Sequence, residues 1–519
     1  MRKDVFLMDV KDMVVVLDCG SQYTQLIARR VRELEVYSEI LPWDAEPEEV
    51  LSRSPKGIIV SGGPRSCVEE GAPKLSERLL KSGIPILGIC YGMQMLAHQL
   101  GGRVVKAPSA EYGRCKVQVD SPGGLLRGFP EEFTVWMSHW DQVEQVPPGA
   151  RVLARSESGA VAAFETEGGR ISALQFHPEV AHTEKGTLAL ANFLFGVCGC
   201  ERTWVLTDWV DRMVESIRTQ VGDDRVICGL SGGVDSTVAA VLTSKAIGDR
   251  LSCIFVDNGL LRKDEARKVM ETYTKLDLNV KMVDASDRFL EALKGVEEPE
   301  AKRKTIGEVF VRVFEEESSQ VEGARWLLQG TLYPDVIESG HQGKGAAVIK
   351  SHHNVGGLPD FMKLKVLEPL RDLFKDEVRR IGAILGVPEG FLKRHPFPGP
   401  GLAVRCLGEV ARERLDVLRE ADHILQEEIA NFGLYDSLWQ CFCVLLPVRS
   451  VGVMGDVRTY AETAVIRAVE SQDGMTADWA RLPYELLDRV SRRICNQVRG
   501  INRVVLDVTG KPPATIEWE

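Results

Sequence analysis

The chain has 519 residues, of which 44% are hydrophobic and 27% are charged. This composition is typical of globular domains and excludes disordered, collagen-like and disulfide-framework proteins. The length predicts about three domains, each large enough to bury its own core. The 64 basic and 75 acidic side chains give a net charge of −11, and a diffuse acidic surface repels phosphate backbones. We therefore expect small-molecule substrates and no nucleic-acid partner.

Neither a membrane span nor a secretory leader is predicted. No stretch approaches the ~18 uninterrupted apolar residues of a membrane helix, and acidic residues interrupt the first dozen positions. The 12 cysteines include the pairs Cys198/Cys200 and Cys441/Cys443, which have no partner pair at zinc-finger spacing. We expect these thiols to be packing residues of a cytoplasmic protein in a reducing compartment.

Short apolar runs alternate with helix-like segments over the first two hundred residues. The runs 14–17, 57–60 and 85–89 are typical of buried parallel strands, each ending at a polar or glycine turn. Helix-like segments occupy 26–34 and 92–100 between and after them. This alternation predicts a doubly wound α/β fold.

A second α/β unit begins at Arg225, where the strand-like run 226–230 leads through a glycine turn into a helix-like segment. Three prolines and two glycines at 395–401 end it, and the remaining segments mix helices and strands. The predicted fold class is α/β, with two doubly wound domains followed by a small α+β domain. The predicted segments are an N-terminal extension at 1–13 and domains at 14–202, 203–394 and 395–519.

Cys90 lies at the end of a predicted strand, with Gly88 and Gly92 two positions to either side. This layout is typical of a tight strand-to-helix turn that exposes a nucleophile. Downstream, His177 and Glu179 follow another strand-like run. A cysteine nucleophile needs a base, and the base needs an acid that orients it. We therefore predict that His177 deprotonates Cys90 and that Glu179 holds the imidazole in the required tautomer.

The glycine turn at 60–64 ends a further predicted strand and offers backbone N–H groups. We expect Gly63 in this turn and Tyr91 after the nucleophile to stabilise an oxyanion. With the nucleophile, base, acid and oxyanion turn on successive strand ends, the first two hundred residues resemble class I glutamine amidotransferases. The resemblance implies that Cys90 attacks the side-chain amide of glutamine, that ammonia leaves, and that water hydrolyses the thioester to glutamate.

The second α/β unit carries a glycine loop, 231–237, between its first strand and first helix. Its backbone N–H groups, its hydroxyls and the helix N-terminus can bind phosphate oxygens. No lysine follows the loop, so it does not fit the loop that serves γ-phosphate transfer. Asp235 would repel phosphate unless Mg²⁺ lay between them, and we expect a magnesium ion there.

The loop resembles that of the ATP pyrophosphatases, which cleave ATP between the α- and β-phosphates and leave AMP on a substrate oxygen. In a doubly wound sheet, the end of the next strand faces the same crevice. The predicted ATP-binding residues are Ser231, Gly232, Gly233, Val234, Asp235, Ser236, Thr237, Val256 and Asp257.

An ammonia-releasing domain joined to an AMP-transferring domain implies ATP-dependent amination of a carbonyl, with glutamine as nitrogen donor. These two domains leave the acceptor open, because NAD synthetases use the same Ser-Gly-Gly-x-Asp-Ser loop. The strings 395–401, 447–458 and 511–519 resemble the glutamine-hydrolysing GMP synthase family. That resemblance implies an amidating ligase of purine nucleotide biosynthesis. It would adenylate xanthosine monophosphate (XMP) and release GMP, AMP, pyrophosphate and glutamate.

The resemblance also implies where XMP binds and how the chain assembles. The C-terminal domain would form a homodimer and hold the substrate nucleotide. A lid at 349–359 would close over the adenylation site, where Lys350 and Lys363 would neutralise phosphates. The implied XMP contacts are Arg303, Gln440, Asp456, Lys511 and Glu517.

Two alternatives remain open. A ligase of the same construction could act on another carbonyl, such as that of a pyrimidine or nicotinate nucleotide. A catalytically silent scaffold that keeps the fold is the second alternative, and the intact reactive groups at Cys90, His177, Glu179 and 231–236 argue against it.

Overall fold

A computed structural model describes residues 11–340, 364–454, 456–471, 474 and 476–519. The chain divides into two compact units, with the boundary between Trp209 and Val210. The predicted lid, including Lys350 and Lys363, lies outside the described residues, as do residues 1–10 of the predicted extension. No helix within the described ranges is long and apolar enough to cross a membrane.

Residues 11–209 form one nine-stranded mixed sheet with helices. Its strands are β1 (Met13–Asp18), β2 (Tyr37–Pro42), β3 (Gly57–Val60), β4 (Ile86–Ile89), β5 (Arg103–Val119), β6 (Glu132–Gln145), β7 (Arg151–Ser156), β8 (Val161–Glu165) and β9 (Ile171–Leu174). The helices are α1 (Thr24–Glu33), α2 (Pro47–Leu51), α3 (Glu77–Leu80), α4 (Tyr91–Gln99) and α5 (Gly186–Ala191), which a π-helical turn at Asn192–Val197 extends.

The strand order is β2-β1-β3-β4-β9-β8-β7-β5-β6. The first five strands are parallel, and the other four continue the sheet in antiparallel fashion. β1, β3 and β4 are buried Val-, Ile- and Leu-rich runs, as expected for parallel strands covered on both faces. They match the predicted runs to within one residue at each end.

The predicted end of the N-terminal extension falls inside β1, which begins at Met13 rather than Val14. The preceding residue, Asp12, is buried, and its carboxylate lies 2.8 Å from Nζ of Lys56. This ion pair ties residue 12 to the sheet, because a buried carboxylate needs a partner.

The second unit contains a parallel sheet and a smaller, mainly antiparallel one. Its strands are β10 (Arg225–Leu230), β11 (Leu251–Asp257), β12 (Val280–Asp284), β13 (Ala324–Leu328), β14 (Lys365–Leu367), β15 (Gln440–Met454), β16 (Val457–Glu470), β17 (Asp478–Trp479) and β18 (Ile501–Leu506). The helices are α6 (Leu206–Val221), which contains the boundary between the units, α7 (Val234–Ile247), α8 (Glu265–Lys275), α9 (Ser286–Ala292), α10 (Pro299–Ser318), α11 (Tyr333–Gly340), α12 (Lys375–Ile384), α13 (Glu389–Leu392), α14 (Arg412–Asn431) and α15 (Tyr484–Gln497).

In the described part of this unit, the parallel sheet has the order β12-β11-β10-β13-β14, and β15-β16-β17 form the antiparallel ladder, with β18 parallel to β16. One apolar core joins the two sheets: it includes Ile227 and Ile254 of the first sheet and Leu402, Leu425 and Ile466 from beyond residue 395. The predicted division at 394/395 therefore separates two sheets but not two hydrophobic cores.

Lys302 on α10 is fully buried and connects this core to the last residue of the chain. Its Nζ donates hydrogen bonds to the carbonyls of Ala403 (3.2 Å) and Cys406 (3.0 Å) and to Oε2 of Glu519 (2.6 Å). A buried ammonium is tolerated only when it is paired and hydrogen-bonded, and these three acceptors meet that condition.

We predict that Lys302→Ala destabilises the second unit by roughly 3–5 kcal/mol, because it leaves the Glu519 carboxylate buried without its cation. The measurement is the urea-unfolding midpoint followed by tryptophan fluorescence. Lys304→Ala, an exposed position on the same helix, is the matched control and should leave the midpoint unchanged. Equal midpoints for the two variants would contradict the prediction.

Candidate active site

Cys90 lies on a strained turn between β4 and α4. Its φ is +53° and its ψ is −106°, a conformation that non-glycine residues rarely adopt. Glycines on both sides make the turn possible. A Cβ on Gly92 would lie 2.4 Å from the carbonyl oxygen of Val60, and a Cβ on Gly88 would lie 2.5 Å from that of Gly92. The predicted sharp strand-to-helix turn is therefore present.

The predicted base and acid follow β9, the strand beside β4. His177 Nδ1 donates to Oε1 of Glu179 at 2.6 Å, and both side chains are buried. Burial opposes protonation of the imidazole, but the charges of Glu179 and of the Cys90 sulfur raise the pKa of His177 well above its ordinary value of 6.5. The surroundings of His177 therefore favour its protonated form.

The oxyanion turn lies against the same imidazole. A Cβ on Gly62 would lie 3.3 Å from Cε1 of His177, and the N–H of Gly92 donates to the carbonyl of Ser61 at 3.2 Å. Gly63 packs tightly, since a Cβ there would lie 2.7 Å from the carbonyl oxygen of Cys19. The structure thus brings the glycine turn and the nucleophile together, while the oxyanion roles of Gly63 and Tyr91 stay predictions.

The glycine loop joins β10 to α7. Gly232 has φ +76°, which favours glycine. The hydroxyl oxygens of Ser231 and Ser236 lie 3.2 Å apart, and Thr237 donates to the carbonyl of Gly233 at 2.8 Å. These polar groups surround the N-terminus of α7, whose first N–H groups have no partner within the helix and can bind an anion.

Two cations at this loop were not predicted. Nζ of Lys375, at the start of α12, lies 3.4 Å from Oδ2 of Asp235, and Arg394 donates to the carbonyl of Gly232 at 3.1 Å. The other carboxylate oxygen of Asp235 is buried without a hydrogen-bond partner, which suits a hard cation. Within the described ranges, no group of three or more His, Cys, Asp or Glu side chains forms a metal site by itself.

Val256 and Asp257 end β11, next to β10. Val256 is buried, and Asp257 accepts a hydrogen bond from the N–H of Gly259 at 2.9 Å. Asp257 also lines a cavity of about 840 Å³, together with basic side chains such as Arg267 and Arg412. The strand-end position of Asp257 was predictable. Arg267 lies on α8, the next helix in the chain, whereas Arg412 comes from α14, and acidic side chains such as Asp264 and Asp416 line the same cavity.

Gln440 and Glu517 contact each other. Nε2 of Gln440 donates to Oε1 of Glu517 at 2.7 Å, and Arg405 donates two further bonds to this carboxylate at 2.8 and 3.0 Å. Arg405 is fully buried, with its guanidinium carbon 3.9 Å from the centre of the Phe442 ring. Arg405 was not predicted, because no local motif marks it.

The other candidate XMP contacts have different partners. Arg303 pairs with Glu300 at 3.2 Å, and Lys511 donates to the carbonyl of Gly474 at 2.8 Å. Asp456 lies at the tip of the β15–β16 hairpin, whereas Gln440 is at its base. A strand of 15 residues separates these ends by roughly 45 Å. The role of Asp456 as an XMP contact stays a prediction.

Three families match successive parts of the chain. Residues 15–197 match glutamine amidotransferase class-I, residues 205–309 match NAD synthase, and residues 427–518 match the GMP synthase C-terminal domain. With the cysteine turn and the glycine loop, these matches define a class I glutamine amidotransferase joined to an ATP pyrophosphatase-type domain.

Full-length relatives identify the family. The chain is 58% identical over 506 residues to the glutamine-hydrolysing GMP synthase of Aquifex aeolicus, an alignment that covers 98% of this chain and 99% of that protein. Its identity to the enzyme of the same name from Caldicellulosiruptor saccharolyticus is 56% over 510 residues, with 98% and 99% covered. The chain belongs to the glutamine-hydrolysing GMP synthase family. The family, the α/β fold class and the enzyme class predicted from the sequence are thereby confirmed.

We predict that Glu179→Gln slows alkylation of Cys90 by iodoacetamide at pH 7 by about tenfold or more. The substitution removes the carboxylate charge that raises the pKa of His177. Each unit by which this pKa falls lowers the ratio of protonated to neutral imidazole about tenfold. Labelling of the Cys90 peptide is measured by mass spectrometry. Glu184→Gln, an exposed carboxylate close by in the chain, should label at the wild-type rate. If Glu179→Gln labels as fast, the carboxylate does not sustain the imidazolium.

Proposed function

We propose that this chain converts XMP, ATP, glutamine and water into GMP, AMP, pyrophosphate and glutamate, through an adenylated XMP. The observation that carries this proposal is the identity of more than half of all positions to full-length GMP synthases. The geometry of two separate reactive sites supports it, because each half-reaction has its own set of suitably placed residues.

In the first half-reaction, the Cys90 thiolate attacks the amide carbon of glutamine. A C–S bond forms and the C–N bond breaks, and His177 delivers the proton that lets ammonia leave. Glu179 keeps the imidazole oriented and charged. The N–H groups of Gly63 and Tyr91 stabilise the oxyanion of each tetrahedral intermediate, and water then releases glutamate.

In the second half-reaction, a carbonyl oxygen of XMP attacks the α-phosphorus of ATP and pyrophosphate leaves. Ammonia then displaces AMP from the adenylated carbon. The backbone and hydroxyl groups of 231–237 bind the leaving pyrophosphate, and Val256 and Asp257 flank the adenosine. Mg²⁺, when bound, neutralises phosphate charge. Asp235 would hold it, since one of its oxygens is buried without a partner.

XMP recognition involves the C-terminal part of the chain. Arg303 and Lys511 supply positive charge for the nucleotide phosphate, while Gln440 and Glu517 supply amide and carboxylate groups for base edges. Arg405 holds the Glu517 carboxylate in place. The lid roles of Lys350 and Lys363 stay predictions.

A homodimer is the proposed assembly, and the β15–β16 hairpin is its proposed interface. The hairpin exposes apolar side chains that are each at least 50% accessible, namely Val448, Val451, Val453, Val457 and Tyr460. Val451, Val453 and Tyr460 share one face of the ladder, and exposed apolar side chains grouped on one face mark interaction sites. The proposed location is the cytoplasm, and it is consistent with 12 free cysteines in the described ranges.

Variants that each abolish one half-reaction test whether glutamine hydrolysis and XMP adenylation take place at two separate sites. We predict that Cys90→Ala abolishes glutamine-dependent GMP formation and retains formation from ammonium, because the adenylation site is intact. Asp235→Asn should instead reduce XMP-dependent AMP release with either nitrogen source by about 100-fold or more, because it removes the proposed metal ligand. AMP and GMP are quantified by chromatography. Loss of both activities in Cys90→Ala, or AMP release with another nucleotide but not XMP, would refute the proposal.

We predict that Tyr460→Asp shifts the chain from dimer to monomer. Tyr460 lies directly opposite Val451 in the hairpin ladder, so the substitution places a charge in the centre of the proposed interface. Sedimentation velocity across a concentration series measures the assembly. Tyr484→Asp, at an exposed tyrosine outside the hairpin, should leave it unchanged. A dimer of undiminished stability in Tyr460→Asp would place the interface elsewhere.

A further inference from the structure

The β5–β6 ladder carries a buried, hydrogen-bonded carboxylate–histidine pair that the proposed glutaminase mechanism does not use. Glu111 and His139 are register partners, and Nε2 of His139 donates to Oε2 of Glu111 at 3.0 Å. The hydroxyls of Ser156 and Ser158 donate to the other carboxylate oxygen at 2.8 and 2.7 Å. The hydrogen bond from His139 lowers the pKa of Glu111, and the serine hydroxyls lower it further. Burial opposes this effect, and the resulting pKa is about 2.

The second ring nitrogen of His139 is also engaged. Nδ1 donates to the backbone carbonyl of Asp141 at 2.9 Å. An ionised carboxylate and a carbonyl are both hydrogen-bond acceptors, so each ring nitrogen of His139 faces an acceptor that fixes the orientation of the ring. The His139 side chain is only 2% exposed, and a buried polar group needs such partners.

Two glutamine side chains connect the Asp141 carbonyl to the nucleophile. It also accepts a bond from Nε2 of Gln94 at 2.8 Å, and this amide donates to Oε1 of Gln175 at 3.3 Å. Gln175 in turn donates to the Cys90 sulfur at 3.8 Å. On its other side, the sulfur donates to the carbonyl of Ser138 at 3.6 Å. The segment 138–141 therefore contacts Cys90 directly at one end and through two glutamines at the other.

We propose that Glu111 and His139 form a positioning pair for glutamine hydrolysis. The pair fixes the carbonyl of Asp141, and with it the segment 138–141 and the glutamines that contact the sulfur. This inference rests on the proposed role of Cys90. A residue in a strained backbone conformation keeps that conformation only when the surrounding structure enforces it. A displacement of a catalytic group by about 1 Å can lower the rate about 100-fold. Neither residue of the pair contacts the reacting atoms.

Two substitutions of His139 each keep one of the two hydrogen bonds that its ring makes. His139→Asn places an amide nitrogen near the position of Nδ1 and keeps a donor for Asp141. His139→Gln reaches the position of Nε2 and keeps a donor for Glu111. We predict that kcat for glutamine hydrolysis falls about 10- to 100-fold in His139→Gln and His139→Ala, with KM changing less. His139→Asn should recover most of the loss seen in His139→Ala.

Two controls distinguish positioning from general damage to the fold. Ammonium-dependent GMP formation should stay at the wild-type rate in all three His139 variants. Lys116→Ala removes an exposed ion pair with Glu132 (2.8 Å) that spans the same two strands, and it should leave glutamine hydrolysis unchanged.

Three results would overturn the inference: wild-type kcat in His139→Ala, equal losses in the Asn and Gln variants, or a parallel loss of the ammonium-dependent reaction. Failure of the proposed function gives a different result, because the wild-type protein would then release no glutamate at all. A wild type that hydrolyses glutamine, with a His139→Ala variant that matches it, refutes only the positioning pair.

Discussion

The turn at Cys90 depends on how closely α4 approaches the ends of β3 and β4. There is no room for a Cβ at Gly88 or Gly92, and this contact holds Cys90 in a left-handed conformation that costs about 1–3 kcal/mol. The hydrogen bonds of the sulfur itself are long, at 3.6 and 3.8 Å. Backbone packing in the parallel sheet therefore places the nucleophile, and the polar groups around it refine that position.

Both candidate sites use the same property of parallel sheets. Cys90 and His177 follow β4 and β9, which are neighbours, and the glycine loop and Asp257 follow β10 and β11, which are also neighbours. Parallel neighbours end at the same edge, so residues far apart in sequence meet there. Each edge also carries a helix N-terminus, at α4 or α7, which favours negative charge. The proposed thiolate chemistry and the proposed pyrophosphate binding thus depend on the same property of parallel sheets.

The sequence predicts best what a strand end determines locally. Cys90, His177, Glu179 and the loop at 231–237 could be identified because each lies within a few residues of a buried apolar run. Three basic residues could not be identified in this way: Lys375, Arg394 and Arg405. Each lies more than a hundred positions from its partner in the sequence, and no motif marks it. In the antiparallel half of the first sheet, β5 and β6 also went unpredicted, since these strands are long and only partly buried.

The β15–β16 hairpin contains a proline inside its first strand. β15 runs from Gln440 to Met454 and passes through Pro447. The ladder accommodates the proline through an irregularity between Leu446 and Ser450, on a strand at the edge of the sheet, where a missing N–H is tolerated. Asp456 and Gln440 therefore lie at opposite ends of the hairpin, a separation that the sequence did not predict.

Charge distribution explains how an acidic chain can bind acidic nucleotides. The net charge of −11 is a sum over the whole chain, whereas affinity for phosphate depends on charges within a few ångströms. At the glycine loop, Lys375 and Asp235 partly neutralise each other. A pyrophosphate would attract the lysine, and a magnesium ion would attract the carboxylate. When both ligands bind, each member of the original pair gains a new counter-ion, so no charge is left unpaired, whereas either ligand alone would leave one of the two without a partner.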